Sequence, residues 1–129
     1  MRADLAQSLS VILLLARDTK ATAEFYINVL GIPLEPEEHD GRHVHYACPF
    51  GAIYFTIQPA EDLQAPNVEQ KYDFLQLCFT VPDIDAFLKH CEDLNVKPLH
   101  PPMPFEHTTF VTLLDPEGRH VRVMTPWEE

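Results

Sequence analysis

Two stretches of the chain show the same succession of a strand pattern followed by a helical pattern. In the first, the apolar run 10–16 precedes a helical stretch at 19–30; in the second, the alternating run 74–81 precedes one at 84–94. Alternation with a period of two indicates a strand with one buried face, and a period near 3.6 indicates a helix packed on one side. The pattern therefore predicts a strand and then a helix in each half.

The two helical stretches carry matching start and stop signals. Asp18 and Asp83 precede them, and a carboxylate at this position accepts hydrogen bonds from the free N–H groups of the first turn. Gly31 and Asn95 follow them, and these residue types readily take the left-handed conformation that ends a helix. The same number of residues separates the two aspartates as separates the prolines after the helices, which indicates a duplication.

Each half has room for three more strands after its helix. They are predicted at 34–39, 43–48 and 52–57 in the first half and at 97–100, 108–114 and 119–124 in the second. Asp40-Gly41 is a hairpin signal, 101–107 reads as a Pro-rich loop, and Pro-x-Gly turns at 49–51 and 116–118 precede the last strands. We expect one domain over residues 1–129, with βαβββ modules at about 8–58 and 74–126 and a polar linker at 59–73.

Strand alternation indicates which side of each sheet is polar. The apolar positions fit packing under a helix, whereas the remaining positions would line a wetter, concave surface. The candidate ligand-binding residues on that surface are Tyr54, Thr56, Gln76, Cys78, Arg122 and Met124, joined by His45 if its strand faces inward. Arg122 requires a partner there, either a carboxylate of the protein or an anionic group of a ligand, because a buried unpaired guanidinium is costly.

Charge and cysteine content narrow the class of protein. The chain has 9 Lys and Arg against 20 Asp and Glu, a net charge of −11, which disfavours binding to nucleic acid or to anionic membranes. No apolar run approaches the roughly 20 residues that span a bilayer, and no signal peptide is evident. The 3 cysteines lack a C-x-x-C spacing, so we expect free thiols and a cytoplasmic protein.

Three motifs resemble those of the vicinal oxygen chelate superfamily, which includes glyoxalase I, extradiol dioxygenases and the bleomycin-resistance proteins. They are Ala-Glu-Phe-Tyr at 23–26 with Val-Leu-Gly at 29–31, Phe-Thr-Val-Pro-Asp at 79–83, and Asp-Pro-Glu-Gly-Arg at 115–119. The resemblance implies an α+β fold in which two tandem βαβββ modules form an open half-barrel sheet around a cavity, with helices on the outer face. It also implies a homodimer, often with cavities built from both chains.

Metal-dependent members of that superfamily place ligands on the first and last strands of each module. Carried over by motif, these positions fall on Val11, Gln76, Arg122 and either Tyr54 or Phe55. Apolar side chains and a guanidinium offer no lone pair to a divalent cation. The resemblance therefore implies that the family's metal site is lost and that no cofactor is bound.

The predicted function is metal-independent binding of a small molecule, in a protein similar in build to the bleomycin-resistance type. The alternative is a metal-dependent lyase, isomerase or dioxygenase with an altered site that uses His43, His45 or His120. A third hypothesis is an accessory dimerisation module with an unfilled cavity. The net charge attracts a cationic ligand at long range and Arg122 favours an anionic group, so the ligand and any catalysis stay open.

Overall fold

The computed structural model describes residues 5–38, 44–63 and 75–127. The elements in chain order are β1 (Val11–Ala16), α1 (Thr19–Asn28), β2 (Glu35–Glu37), β3 (His45–Phe50), β4 (Ile53–Pro59), α2 (Ala60–Leu63), β5 (Leu77–Thr80), α3 (Ile84–Asp93), β6 (Met103–Phe105), β7 (Thr108–Leu114) and β8 (His120–Met124). The predicted hairpin at Asp40-Gly41, His43 and most of the predicted linker lie outside the described residues. The described start of that linker is not a loop, because β4 continues to Pro59 and residues 60–63 form the short helix α2.

The strands form two four-stranded sheets with the same topology. Their orders are β1-β4-β3-β2 and β5-β8-β7-β6, and in each the first and last strands of the βαβββ unit pair in parallel while the other neighbours are antiparallel. We call the first sheet with α1 module one, and the second sheet with α3 module two. The predicted α+β class and the repeated βαβββ order are confirmed.

The predicted helix caps are present at both ends of the two long helices. The Asp18 carboxylate accepts a hydrogen bond from the Ala21 N–H at 3.0 Å, and Asp83 accepts one from the Ala86 N–H at 3.1 Å. Gly31 and Asn95 have φ values of 72° and 58°, in the left-handed region that closes a helix.

Two of the predicted strands have different bounds in the structure, and both lie in stretches that contain prolines. β3 continues through Pro49 and Phe50, and the chain turns only at the next two residues. Pro49 is tolerated because β2 pairs with β3 only as far as Ala47, so the missing N–H leaves no β2 partner unpaired.

The second error concerns the strand predicted at 97–100. The paired strand is instead β6, inside the predicted Pro-rich loop. Prolines at 98, 101 and 102 remove backbone donors from this stretch. Leu99 alone among residues 97–102 donates a backbone hydrogen bond to β7, at 2.9 Å to the Thr112 carbonyl.

The two sheets share one core through their helix-covered faces. The rings of Tyr26 on α1, Phe55 on β4 and Phe79 on β5 pack with centroid separations of 5.5 to 6.2 Å. Val121 of β8 belongs to the same buried cluster as Phe55. Val29 of α1 packs into the cluster beneath α3. Because the apolar faces meet in the interior, the opposite faces of the two sheets point away from each other.

A buried turn between β7 and β8 fixes module two against module one. The Asp115 carboxylate is 4% exposed and accepts hydrogen bonds from the Tyr26 hydroxyl at 2.9 Å, the Glu117 and Arg119 N–H groups at 2.9 Å each, and the Arg119 guanidinium at 3.0 Å. Arg119 also donates to the Leu15 carbonyl of β1. Burial and the adjacent carboxylate raise the pKa of Tyr26 well above its ordinary value, so the phenol stays protonated as the donor.

Tyr26→Phe is expected to lower the free energy of unfolding by about 1.5–3 kcal/mol, the range for a hydrogen bond to a charged group. The matched control is Tyr46→Phe, since the Tyr46 hydroxyl makes no hydrogen bond to any residue that the structure describes. Urea unfolding followed by circular dichroism gives both values. Equal, small losses for the two variants would contradict the role assigned to the Tyr26–Asp115 contact.

Candidate functional site

The predicted site residues lie on two separate surfaces. We call the side of each sheet that faces away from the shared core the module-one face and the module-two face. Strand register places Val11 opposite Tyr54, and Leu13 opposite Thr56, so these four side chains share the module-one face. His45 lies on the same face. It is two residues from Ala47 on β3, and Ala47 pairs with Thr56. His45 itself pairs with Glu37 on β2.

The second surface carries the remaining candidates. Cys78 pairs with Arg122, and Thr80 pairs with Met124, so all four lie on the module-two face. Gln76 is exposed just before β5. The structure thus groups Tyr54, Thr56 and His45 on one face and Cys78, Arg122 and Met124 on the other, and a single chain does not bring the two groups together.

Tyr54, Glu37 and His45 form a polar cluster on the module-one face. The Tyr54 hydroxyl donates to Glu37 Oε1 at 2.8 Å, and His45 Nε2 lies 3.8 Å from Glu37 Oε2. The hydrogen bond to Glu37 raises the pKa of the Tyr54 phenol above its ordinary value. A carboxylate and a phenol in contact can accept and donate hydrogen bonds to a ligand lying on this face.

Two further polar side chains, Thr56 and Gln58, follow Tyr54 along β4 on the same face. The Thr56 hydroxyl donates to the Tyr46 carbonyl at 3.1 Å, and the Gln58 amide donates to Thr56 Oγ1 at 3.2 Å. Thr56 is therefore held in a fixed orientation by two partners, and at 2% exposed its side chain lies beneath the surface of this face.

The centre of the module-two face is a cation stacked on an aromatic ring. The Arg122 guanidinium carbon lies 4.0 Å from the centroid of the Phe110 ring. The His100 ring is 5.3 Å from Phe110, and His100 Nε2 lies 2.8 Å from the Thr112 hydroxyl, which pairs in register with Arg122. Cation–π contact of this kind holds a guanidinium in place without a counter-charge.

Both faces expose large apolar side chains. On the module-one face Val11 is 47% exposed and Leu13 43%; on the module-two face Met103 is 46% exposed and Phe105 50%. Exposed apolar side chains that share a sheet face are typical of surfaces at which proteins bind ligands or partners.

The positions that the resemblance assigns to metal ligands carry few donor atoms for a metal ion. Val11 and Tyr54 are paired in register across β1 and β4. The resemblance allows either Tyr54 or Phe55 as the β4 residue. Tyr54 is the one on the outward face, because Phe55 is 1% exposed in the core. In module two the resemblance assigns Gln76, which precedes β5, and Arg122, whose register partner is Cys78. Of the four, only the Gln76 amide and the Tyr54 phenol carry oxygen, and the guanidinium repels a cation.

Other donors for a metal are sparse in the described part of the chain. No group of three or more His, Cys, Asp or Glu there is close enough to hold an ion. His45 has Glu37 beside it, His120 lies exposed on β8, and His43 is outside the described residues.

Sequence reasoning missed two residues that contribute to these faces. Glu37 lies within a correctly located but shortened strand, and the alternation of Glu35, Pro36 and Glu37 was the available signal. Phe110 lies in β7, which is mostly buried on both faces and mixes Thr with apolar residues on each, so alternation alone could not assign it to the module-two face.

Comparison with known proteins identifies the family. The sequence profile of the Glyoxalase/Bleomycin resistance protein/Dioxygenase superfamily matches residues 8–123. The chain therefore belongs to this superfamily, and the resemblance predicted from the three motifs is confirmed. A search of curated proteins found no match by sequence.

Solved structures of related proteins share the fold. An integron cassette protein from the mobile metagenome of V. cholerae aligns with a TM-score of 0.72 and 21% identity, over 95% of this chain and 97% of its own. Lactoylglutathione lyase from Agrobacterium tumefaciens aligns with a TM-score of 0.68 and 20% identity, over 96% of this chain and 100% of its own. A glyoxalase/bleomycin resistance protein/dioxygenase from Nocardioides aligns with a TM-score of 0.72 and 15% identity, over 97% of this chain and 86% of its own. At these identities the similarity establishes the fold alone.

The described helices include none that is long and apolar enough to cross a membrane. All 3 cysteines are free thiols; Cys48 and Cys91 are buried and Cys78 is exposed.

Glu37→Gln is expected to lower the pKa of Tyr54 towards its ordinary value of about 10, because the carboxylate that disfavours the phenolate is gone. NMR titration of ¹³Cζ-labelled tyrosine, assigned with Tyr54→Phe, measures this pKa. Glu35→Gln is the control, since Glu35 shares the face but makes no hydrogen bond to Tyr54. An unchanged Tyr54 pKa in Glu37→Gln would show that the contact does not persist in solution.

Proposed function

We propose that this protein binds a small molecule without a metal ion, in a cavity formed between two copies of the chain. The observation that carries the proposal is the pair of outward sheet faces with exposed apolar side chains and no metal-ligand set at the family positions. The module-one face of one copy and the module-two face of the other would form the two walls of the cavity.

Binding without a metal ion is favoured by the chemistry of the side chains at the positions that the resemblance assigns to metal ligands. The superfamily's metal-dependent chemistry relies on an ion that polarises an oxygen atom of the substrate. Val11 and Arg122 stand at two of the four positions, and neither coordinates a cation. What the faces do supply is apolar surface with a few oriented polar groups, which is the usual composition of a small-molecule site.

Assembly from two copies is favoured by the back-to-back packing of the modules. Tyr26, Phe55 and Phe79 fill the space between the sheets, so the module-one face and the module-two face of one chain cannot close on a common ligand. A second copy supplies the missing wall for each face, and both sets of exposed apolar side chains are then covered.

The metal-independent part of the proposal is tested by elemental analysis of protein purified from medium that contains Zn, Ni, Mn and Fe. We expect far less than one ion per chain, and no change in melting temperature on adding a chelator. The positive control is the triple variant V11H/Y54E/R122E, which with Gln76 restores oxygen and imidazole donors and is expected to take up a metal ion. About one ion per native chain, lost together with stability on chelation, would support the altered-metal enzyme instead.

The binding part is tested with a neutral apolar dye, N-phenyl-1-naphthylamine. We expect saturable fluorescence enhancement on the native protein that survives chelator. We expect it to be lost in Leu13→Glu, because binding an apolar dye there would remove water from the new carboxylate without giving it a partner. Leu94→Glu is the matched control: Leu94 is 42% exposed, close to the 43% of Leu13, but it caps α3 on the other side of its sheet. Absence of dye binding to the metal-free native protein would favour an accessory dimerisation module.

A further inference from the structure

Arg122 differs from the other arginines that the structure describes. Arg17 pairs with Glu117 at 3.1 Å and Arg119 pairs with Asp115 at 3.0 Å. Arg122 forms no ion pair with any described residue. The chain has 20 acidic residues and 9 basic ones, so the lack of a partner does not reflect a shortage of carboxylates.

The Arg122 side chain is held in place by the Phe110 ring, and its Nε–H donor has no acceptor among the described residues. Its guanidinium lies 4.0 Å above the Phe110 ring, and Phe110 is buried in the sheet surface. The Nε atom is buried and has no hydrogen-bond acceptor among the described residues. A buried donor without an acceptor is a costly state that a bound ligand would relieve.

The residues around Arg122 supply no negative charge. Its register neighbours are Cys78 on β5 and Thr112 on β7, and the Thr112 hydroxyl is already engaged by His100. Phe105, 50% exposed, lies 6.5 Å from Phe110 between ring centroids and extends the apolar surface next to the cation. Arg122 thus presents a positive charge and the coplanar N–H donors of its guanidinium next to aromatic rings.

The carboxylates on the module-one face are poor partners for Arg122 across the proposed cavity. Glu37 already accepts from Tyr54 and lies 3.8 Å from His45. Glu35 lies on β2, an edge strand of its sheet, whereas Arg122 lies on β8, an inner strand of the other sheet.

We infer that Arg122 binds the anionic group of a ligand, a carboxylate, sulfonate or phosphate, whose apolar or aromatic body lies along Phe110 and Phe105. The planar guanidinium suits such groups because it donates two parallel hydrogen bonds to their oxygen atoms. The inference rests on the proposed function and names the ligand class of that site: the local charge of Arg122, and not the net charge of −11, decides which ligand binds.

Two dyes that differ only in an anionic group test this inference. The probes are 1-anilinonaphthalene-8-sulfonate and its neutral counterpart, N-phenyl-1-naphthylamine. Arg122→Gln is expected to weaken sulfonate binding about tenfold or more, as loss of a charged hydrogen bond requires, and to leave the neutral dye unchanged. Arg122→Lys is expected to fall between, since it keeps the charge but not the planar donors.

Lys89→Gln is the matched control for the loss of one positive charge. Lys89 lies on α3 with its side chain 76% exposed, on the helix side of the sheet. We expect both dyes to bind this variant as they bind the native protein.

The exposed thiol of Cys78 gives a second readout that needs no variant. Cys78 pairs in register with Arg122, whereas Cys48 and Cys91 are buried. After normalisation to 2-mercaptoethanol, we expect an anionic methanethiosulfonate to label native Cys78 faster than a cationic one. Faster labelling by the cationic reagent would overturn the inference, even if Arg122→Gln failed to fold.

Each other outcome also has a defined meaning. Equal sulfonate affinity in the native protein and Arg122→Gln overturns the inference but leaves the proposed function standing. Equal weakening of both dyes shows that Arg122 acts only through packing and overturns the inference. Dissociation of Arg122→Gln into monomers, measured by light scattering, overturns it in favour of a role of Arg122 in the contact between two copies. Failure of both dyes to bind the native protein overturns the proposed function together with the inference.

Discussion

The buried Asp115 carboxylate is the contact on which the rest of the structure depends. It closes its own turn through the N–H groups of Glu117 and Arg119, and it accepts the Tyr26 hydroxyl from the first module. A carboxylate that is 4% exposed must satisfy its oxygens within the protein, and here half of that satisfaction comes from side chains. The geometry of one turn therefore sets the position of one module against the other.

Glu117 strengthens the same joint, by which we mean the contacts between the β7–β8 turn and module one. Its carboxylate accepts from the Arg17 guanidinium at 3.1 Å and from the Asp18 N–H at 3.2 Å, at the point where β1 passes into α1. Burial alone would raise the pKa of Glu117, but the backbone N–H groups of Arg17 and Asp18, with the Arg17 side chain, outweigh it and lower the pKa. The joint is thus built from charged and polar contacts around the aromatic core of Tyr26, Phe55 and Phe79.

This joint explains why each sheet exposes an apolar face. With the helix-covered faces locked together, the faces that carry Tyr54 and Arg122 open in opposite directions. The proposed cavity then needs two chains, and its chemistry follows from Val11, Tyr54 and Arg122, at positions that the family resemblance assigns to metal ligands. An apolar surface with one fixed cation suits recognition of an anionic ligand better than activation of a substrate oxygen.

Much of the fold follows from the sequence because its signals are local. Asp18 and Asp83 cap helices wherever those helices pack, and the alternation in β4, β5 and β8 assigns Tyr54, Cys78 and Arg122 to one type of face. The arrangement of the modules depends on a contact between Tyr26 and Asp115, 89 residues apart, which no local pattern encodes. The site residue Phe110 was missed for a related reason, since β7 is buried on both faces.

The most direct test of the account joins the two faces chemically. In Tyr54→Cys the new thiol lies on the module-one face and native Cys78 on the module-two face, so a bifunctional thiol reagent long enough to span a small-molecule cavity can report their proximity. We expect Tyr54→Cys, cross-linked in dilute solution, to give covalent dimers on a denaturing gel. The native protein, whose Cys78 is the one exposed cysteine, is expected to give far fewer. An internal link between position 54 and Cys78 within one chain, found by mass spectrometry of the monomer band, would contradict the account.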